Sequence, residues 1–241
     1  MLPDSVLDNP AWSALAGPQR ALASATALAG RFDPEVSPFG GFSEDPSPDH
    51  WRDLADLLGP SGTVALVGVN GVPPSDWMLL RAIPGVQMVF NPSNVATGAH
   101  ADASGLSNEP QGDPLLPLGA DDVGDMLALV ALAQPGPFLS RTVEFGGYRG
   151  IRRDGELVAM AGQRLRPPGY TEISAVATDP DHRRQGLAER LVLALVDSVL
   201  DRGETPFLHA SADNVNAIRL YERLGFTLRR EVTFSVVQAP S

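Results

Sequence analysis

Cysteine and lysine are both absent from this chain of 241 residues. Without cysteine there can be no disulfide, no thiolate nucleophile and no thiolate zinc site, so a cytoplasmic protein is the default expectation. Without lysine, all 18 basic residues are arginine, which biased base composition in the source genome explains. No apolar run approaches the roughly 18 residues needed to cross a bilayer. The opening MLPDSVLDNP also lacks the basic and apolar regions of a secretory signal. A basic surface interleaved with aromatics is missing too, since net charge is −11 and aromatics are 6%, which argues against nucleic acid as a partner. What remains, 43% hydrophobic and 20% charged residues, suits one large folded domain or two small ones.

The charge is unevenly spread. Residues 1–135 hold four arginines against 16 acids, whereas residues 136–241 hold 14 arginines against 13 acids. An acidic half could draw in a cationic amine, although a solvated acidic surface that maintains solubility is the commoner meaning.

Read in order, Ala11–Leu15 and Gln19–Gly30 are alanine-rich and predict helix, and the Pro- and Gly-dense stretch Arg31–Asp49 predicts loop. Trp51–Leu58 has the spacing of a short amphipathic helix, and Thr63–Val69, Trp77–Ile83 and Val86–Phe90 read as strands. Residues 1–112 are therefore expected to form a smaller α/β accessory domain ending in a polar linker, Asn91–Gly112. Within that linker His100 and Asp102 are too few to hold a metal, and no metal site is expected. Residues 113–241 form the second expected domain. It comprises a short strand at Leu115–Leu118, a helix over Asp121–Gln134 and a hairpin turning at Arg153-Asp154-Gly155-Glu156. After Pro167-Pro168-Gly169 comes the stretch on which everything else depends, YTEISAVATDPDHRRQGLAERLVLALVDSVL, residues 170–200: a β-branched run, a polar turn, and a long apolar helix.

In that turn Arg183-Arg184-Gln185-Gly186-Leu187-Ala188 fits Arg/Gln-x-x-Gly-x-Gly/Ala. A strand that feeds such a turn presents free backbone amides at a helix N-terminus, which suits an anion. Gly186 allows close backbone approach, Ala188 keeps the helix start uncrowded, and Arg183 and Arg184 add charge-assisted bonds. Downstream, the strand candidate PFLHAS (206–211) precedes Asn214-x-x-Ala217-x-x-Leu220-Tyr221-x-x-x-Gly225-Phe226.

These two stretches, in this order, resemble motifs A and B of the GNAT superfamily of acyl-CoA-dependent N-acetyltransferases, and the likeness covers about half the chain, Leu115–Val237. The resemblance implies an α/β fold with a mixed, mostly antiparallel sheet flanked by helices, whose motif A and motif B strands splay to admit coenzyme A. It implies acetyl-CoA as co-substrate and an amine acceptor, either a small molecule or a peptide. Carbonyl polarisation and pairing with the pantetheine arm would fall to backbone around Val176, Ala177 and Thr178. Thr178 and Asp179 depart from the hydrophobic residue often found there. The turn Arg183–Ala188 would hold the pyrophosphate, and Asn214 would cap its helix, hold the pantetheine arm, or both. Glu172, fourteen residues before Gly186, would be the general base with a raised pKa, and Tyr221 the general acid. His209 and Glu144 are further substrate-side candidates.

The N-terminal half reads equally as a degenerate copy of the same fold or as an unrelated lid or dimerisation domain, so a homodimer stays open. A coenzyme A-binding sensor without turnover is the competing function, disfavoured by the presence of both Glu172 and Tyr221. A dinucleotide enzyme is excluded, because the turn lacks Gly-x-Gly-x-x-Gly.

Overall fold

The β-branched run and the apolar stretch on either side of the polar turn form the strand Tyr170–Thr178 and the helix Leu187–Leu200. A computed structural model describes residues 4–69, 72–94 and 112–241. The N-terminal segment contributes α1 (Pro10–Leu15), β1 (Ala23–Ala25), β2 (Ala29–Phe32), β3 (Gly40–Phe42), α2 (Pro48–Leu58), β4 (Thr63–Val67) and β5 (Met78–Phe90). Then follow β6 (Leu116–Pro117), α3 (Val123–Ala133), β7 (Arg149–Arg153), β8 (Glu156–Gln163), β9 (Tyr170–Thr178), α4 (Leu187–Leu200), β10 (Thr205–Ser211), α5 (Val215–Arg223) and β11 (Phe226–Gln238).

Eight strands make one sheet in the order β4-β11-β5-β10-β9-β8-β7-β6, in which β9–β10 is the parallel pair and the other pairs are antiparallel. The fold is thus α/β with a mixed, largely antiparallel sheet, as expected. The division expected near residue 112 does not divide this sheet. β5, from the N-terminal segment, lies between β10 and β11 and pairs with both. Periodicity could not show this, because strand adjacency is a long-range property that residue spacing does not encode. Of the expected linker, residues 95–111, with His100 and Asp102, lie outside the described residues.

Two other expectations fail for identifiable reasons. Gln19–Gly30 is not a helix but a single 3-10 turn followed by β1 and β2. The Thr26 hydroxyl accepts from the Leu28 and Ala29 amides and turns the chain, which overrides the helical preference of alanine. The two strands expected at 77–83 and 86–90 are one, running through Pro84-Gly85. Proline is tolerated because β10 pairs with β5 only from Gly85 onward, and a Cβ on Gly85 would stand 2.5 Å from the Phe234 ring.

Helix α4 covers one face of the sheet with Leu187, Leu191, Val192, Leu195, Val196 and Val199, packing on Ile173 and Leu208. The opposite face carries Phe207, Tyr170 and Leu165, closed by Leu7, Ala11 and Leu15 of the N-terminal segment.

Candidate functional site: a splayed strand pair and a buried ion pair

β9 and β10 pair only over Tyr170↔Thr205, Thr171↔Pro206 and Phe207↔Glu172. Past Glu172 the two strands have no common register, so the edge of β9 that faces β10 is left open over Ile173–Thr178. The other edge pairs with β8 and contains a bulge between Ser174 and Ala177, with Ala175 at φ +52°. A bulge re-aims the backbone where it occurs, here at the mouth of the opening. Val176 and Thr178 are half-buried, while Ala177 is buried opposite Met160.

At the far end of β9, Arg183, Arg184, Gln185 and Gly186 are all exposed. Arg184 and Gly186 adopt φ +61° and +75°. In α4 the Arg190 amide reaches the Gly186 carbonyl, so the amides of the preceding turn point outward without an intrahelical acceptor. A Cβ on Gly186 would meet nothing within 4 Å, which shows the turn opens onto free space; its glycine is required by the left-handed φ. Leu187 is buried and Ala188 half-buried, which anchors the helix start. The Gln185 side chain accepts from Arg153 at 2.6 Å, and Arg153 also pairs with Asp113 at 2.9 Å. The polar cradle fits a diphosphate in charge and in backbone exposure.

Glu172 sits at the vertex of the splay and is fully buried. Its carboxylate accepts from Arg164 Nε at 2.9 Å and Nη2 at 2.6 Å, and from the Leu165 amide at 3.2 Å. His209 Nδ1 lies 2.7 Å from Oε1. Burial alone would raise the Glu172 carboxyl, but the Arg164 charge and bonds, with His209, hold it well below the usual carboxylate range. The raised pKa expected from sequence is therefore reversed. The partner responsible, Arg164, lies eight residues upstream and was not identified from the sequence.

The network continues across the sheet. Gln87 Nε2 donates to the Leu7 carbonyl at 2.8 Å and lies 3.1 Å from His209 Nε2, while Gln87 Oε1 accepts from Arg229 at 2.8 Å. With that amide orientation His209 Nε2 is an acceptor, so Nδ1 carries the proton directed at Glu172. Arg229 in turn pairs with Asp8 at 2.7 Å. The Arg164 guanidinium stacks 4.8 Å above the Phe39 ring, and the Phe207 and Phe234 rings meet His209 edge-on. Nearby, the buried Tyr148 hydroxyl has no hydrogen-bond partner among the described residues, and burial pushes its pKa up.

Tyr221 lies on α5 against Phe226, and burial pushes its phenol up to about 12. Asn214 caps that helix, its side chain accepting from the Ala217 amide at 3.2 Å. Glu144 is exposed and committed to Arg141 at 2.6 Å.

A solved structure from Novosphingobium aromaticivorans, assigned to the GNAT family as an acetyltransferase, is 37% identical, covers 98% of both chains and superposes with a TM-score of 0.80. The chain belongs to the GNAT family. The family model described as FR47-like protein matches residues 148–235. A GCN5-related N-acetyltransferase from Kribbella flavida shares the fold alone, at 19% identity, TM-score 0.57 and 95% coverage of both chains. Among curated relatives, the [ribosomal protein bS18]-alanine N-acetyltransferase of Escherichia coli is 48% identical over 59 residues, 23% of this chain and 40% of that protein. A mycothiol acetyltransferase from Thermomonospora curvata is 36% identical over 76 residues, 31% of this chain and 26% of its own length. The chain thus spans less than half the length of the curated relatives it matches.

For a GNAT chain this arrangement separates two chemistries along one strand. The exposed end of β9 offers backbone amides and arginines to an anion, while the buried end holds a fixed negative charge against an imidazole. Sequence reasoning named Arg183–Ala188 in the first, but not Arg153 or Asp113 beside it. It named Glu172 and His209 in the second without joining them, and it missed Arg164, Gln87, Arg229 and Asp8. Gln87 and Asp8 had no signal in the motifs, because they arrive from the N-terminal segment.

Proposed function

We propose that this protein transfers an acetyl group from acetyl-CoA to a primary amine by direct attack. The observation that carries this reading is the splay of β9 from β10 with a glycine-bearing, arginine-flanked turn at its open end. Val176, Ala177 and Thr178 would pair with the pantetheine arm as an added strand, and Arg183–Ala188 would hold the pyrophosphate. Bound acetyl-CoA supplies an activated acyl group on a thiolate leaving group.

Transfer needs a neutral amine, so a proton must leave as the C–N bond forms. Glu172 alone is a poor acceptor while Arg164 holds it ionised. The Glu172–His209 pair is the better unit. Glu172 fixes the imidazole with its proton on Nδ1, and Nε2 takes the proton of the amine once the Gln87 amide turns aside. Tyr221, which keeps its proton at neutral pH, donates it to the departing sulfur as the C–S bond breaks. An amine acceptor is supported by the relative named for acetylating the alanine of ribosomal protein bS18. Acidic residues in the N-terminal segment suit a cationic one.

A second reading, a coenzyme A sensor without turnover, is favoured by the fully satisfied hydrogen bonds around His209. Thiol release with acetyl-CoA across a panel of small amines and N-terminal peptides separates the two. The enzyme reading expects saturable release with at least one acceptor, and a His209→Asn variant whose kcat falls by roughly 10²–10⁴-fold. Coenzyme binding with no release from any acceptor would leave the sensor.

A further inference from the structure

Two arginines outside the motif converge on its turn. Arg153, at the end of β7, donates from Nη1 to the Gln185 side chain at 2.6 Å and from Nε to Asp113 Oδ2 at 2.9 Å, with Nη2 also 2.9 Å from that oxygen. Arg190, one turn into α4, donates to the Asp113 backbone carbonyl at 2.6 Å, and a Cβ on Gly112 would stand 2.9 Å from its Nη1. Asp113 therefore engages both guanidinium groups, Arg153 through its carboxylate and Arg190 through its backbone carbonyl. Among the described residues Arg183, Arg184 and Arg190 have no carboxylate within salt-bridge distance, so their guanidinium charges are not committed to an ion pair. The Arg153–Asp113 pair is about 30% exposed on both sides, within reach of a ligand and not sealed in the core.

We propose that Arg153 and Arg190 form a seat for a phosphate monoester, the 3′-phosphate of coenzyme A, and that Asp113 occupies it in the coenzyme-free protein, its carboxylate on Arg153 and its backbone carbonyl on Arg190. The inference rests on the coenzyme A reading above. A phosphate monoester carries close to two charges and three acceptor oxygens, so it competes well with a single carboxylate for a planar guanidinium fork. The link through Gln185 makes the seat continuous with the pyrophosphate turn. Filling it draws Arg153 from Asp113 without unsettling the buried part of the sheet, and Asp113 acts as a competitor that lowers coenzyme affinity.

Isothermal titration of the full chain with coenzyme A and with 3′-dephospho-coenzyme A tests this without relying on turnover. Wild type is expected to bind coenzyme A roughly 10-fold tighter than the dephospho form, the scale of one charge-assisted pair. Arg153→Gln should erase that preference and leave 3′-dephospho-coenzyme A binding unchanged. Asp113→Asn should tighten coenzyme A binding alone. Arg190→Gln, away from the hairpin, provides the same comparison should Arg153→Gln fail to fold. Equal weakening toward both ligands in Arg153→Gln would overturn the proposal, since Arg153 would then only order Gln185. Equal wild-type affinity for both ligands would also overturn it, whereas wild type binding neither would remove the coenzyme A assignment itself.

Discussion

The two ends of β9 are built in opposite ways. At its C-terminal end, four consecutive residues, Arg183–Gly186, make an exposed turn that offers backbone amides and one left-handed glycine. Near its N-terminal end, Glu172 belongs to a buried network that draws Arg164, His209, Gln87, Arg229 and Asp8 from separate parts of the chain. The difference follows from the ligands each end would serve. A diphosphate can be held by amides that a single strand–turn–helix unit always presents. A buried charge must be offset by side chains, and those arrive from whichever strands the topology sets alongside.

The sharpest way to break this contrast is to remove the distant contributors. A fragment of residues 113–241 keeps the whole turn but loses β4 and β5, so β10 and β11 lose the strand between them. It also loses Gln87 and Asp8. The fragment is expected to show no cooperative thermal transition by circular dichroism. A cooperative melt would restore a domain boundary near residue 112.

Next in size is Tyr221→Phe, which keeps the ring against Phe226 and removes the hydroxyl proton. Coenzyme binding should survive while kcat and kcat/KM fall together by roughly 10²–10⁴-fold. Steady-state kinetics per folded molecule decide the matter. Activity equal to wild type, with an unchanged pH profile, would remove Tyr221 from the mechanism.

The network is probed by Arg164→Met, which strips Glu172 of its guanidinium partner in the core. Breaking one side of a buried pair costs about 3–5 kcal/mol, or on the order of 10 °C in melting temperature for a chain of this size. A shift of a degree or two would mean that His209 and the Leu165 amide suffice. Acid sharpens the same point. The Glu172 carboxyl titrates lower in the folded protein than its ordinary 4.5, so its stabilisation is complete above that value and lost as pH falls through the folded pKa. Wild type should lose stability progressively below about pH 4.5, and Glu172→Gln should flatten that limb. Parallel acid limbs would show that other carboxylates carry it.

What the sequence made legible follows the same division. β9, the turn, α4 and the Tyr221 helix were readable, since each is specified by neighbours within a dozen residues. The buried stripe of α4 runs through Leu191, Val192, Leu195, Val196 and Val199, with Ala194 and Ser198 half-buried beside it. The placement of β5 was illegible, because nothing in Met78–Phe90 says that its neighbours lie more than a hundred residues on. Glu172 was found by its distance from Gly186, but its charge state depends on Arg164 and His209, and spacing carries no information about either.

The smallest expected effect tests whether one residue serves both ends of the comparison. Asn214 caps α5 through its side-chain oxygen, a purely local role, yet its place at the open side of β10 also suits the pantetheine arm. Asn214→Ala removes both roles and should cost about 1 kcal/mol of stability, a few degrees in melting temperature. Asn214→Asp separates them, since aspartate caps a helix as well as asparagine does but offers no N–H₂ group to a ligand. The Asp variant should recover the wild-type melting temperature while binding coenzyme A several-fold more weakly, read by titration at low salt and again at high salt to remove the effect of added charge. Wild-type affinity in that variant would reduce Asn214 to a cap. Weakened binding at both salt concentrations would make it a residue whose local structural duty and ligand contact coincide, as in the turn at Gly186, and that would place it with the coenzyme end of the molecule.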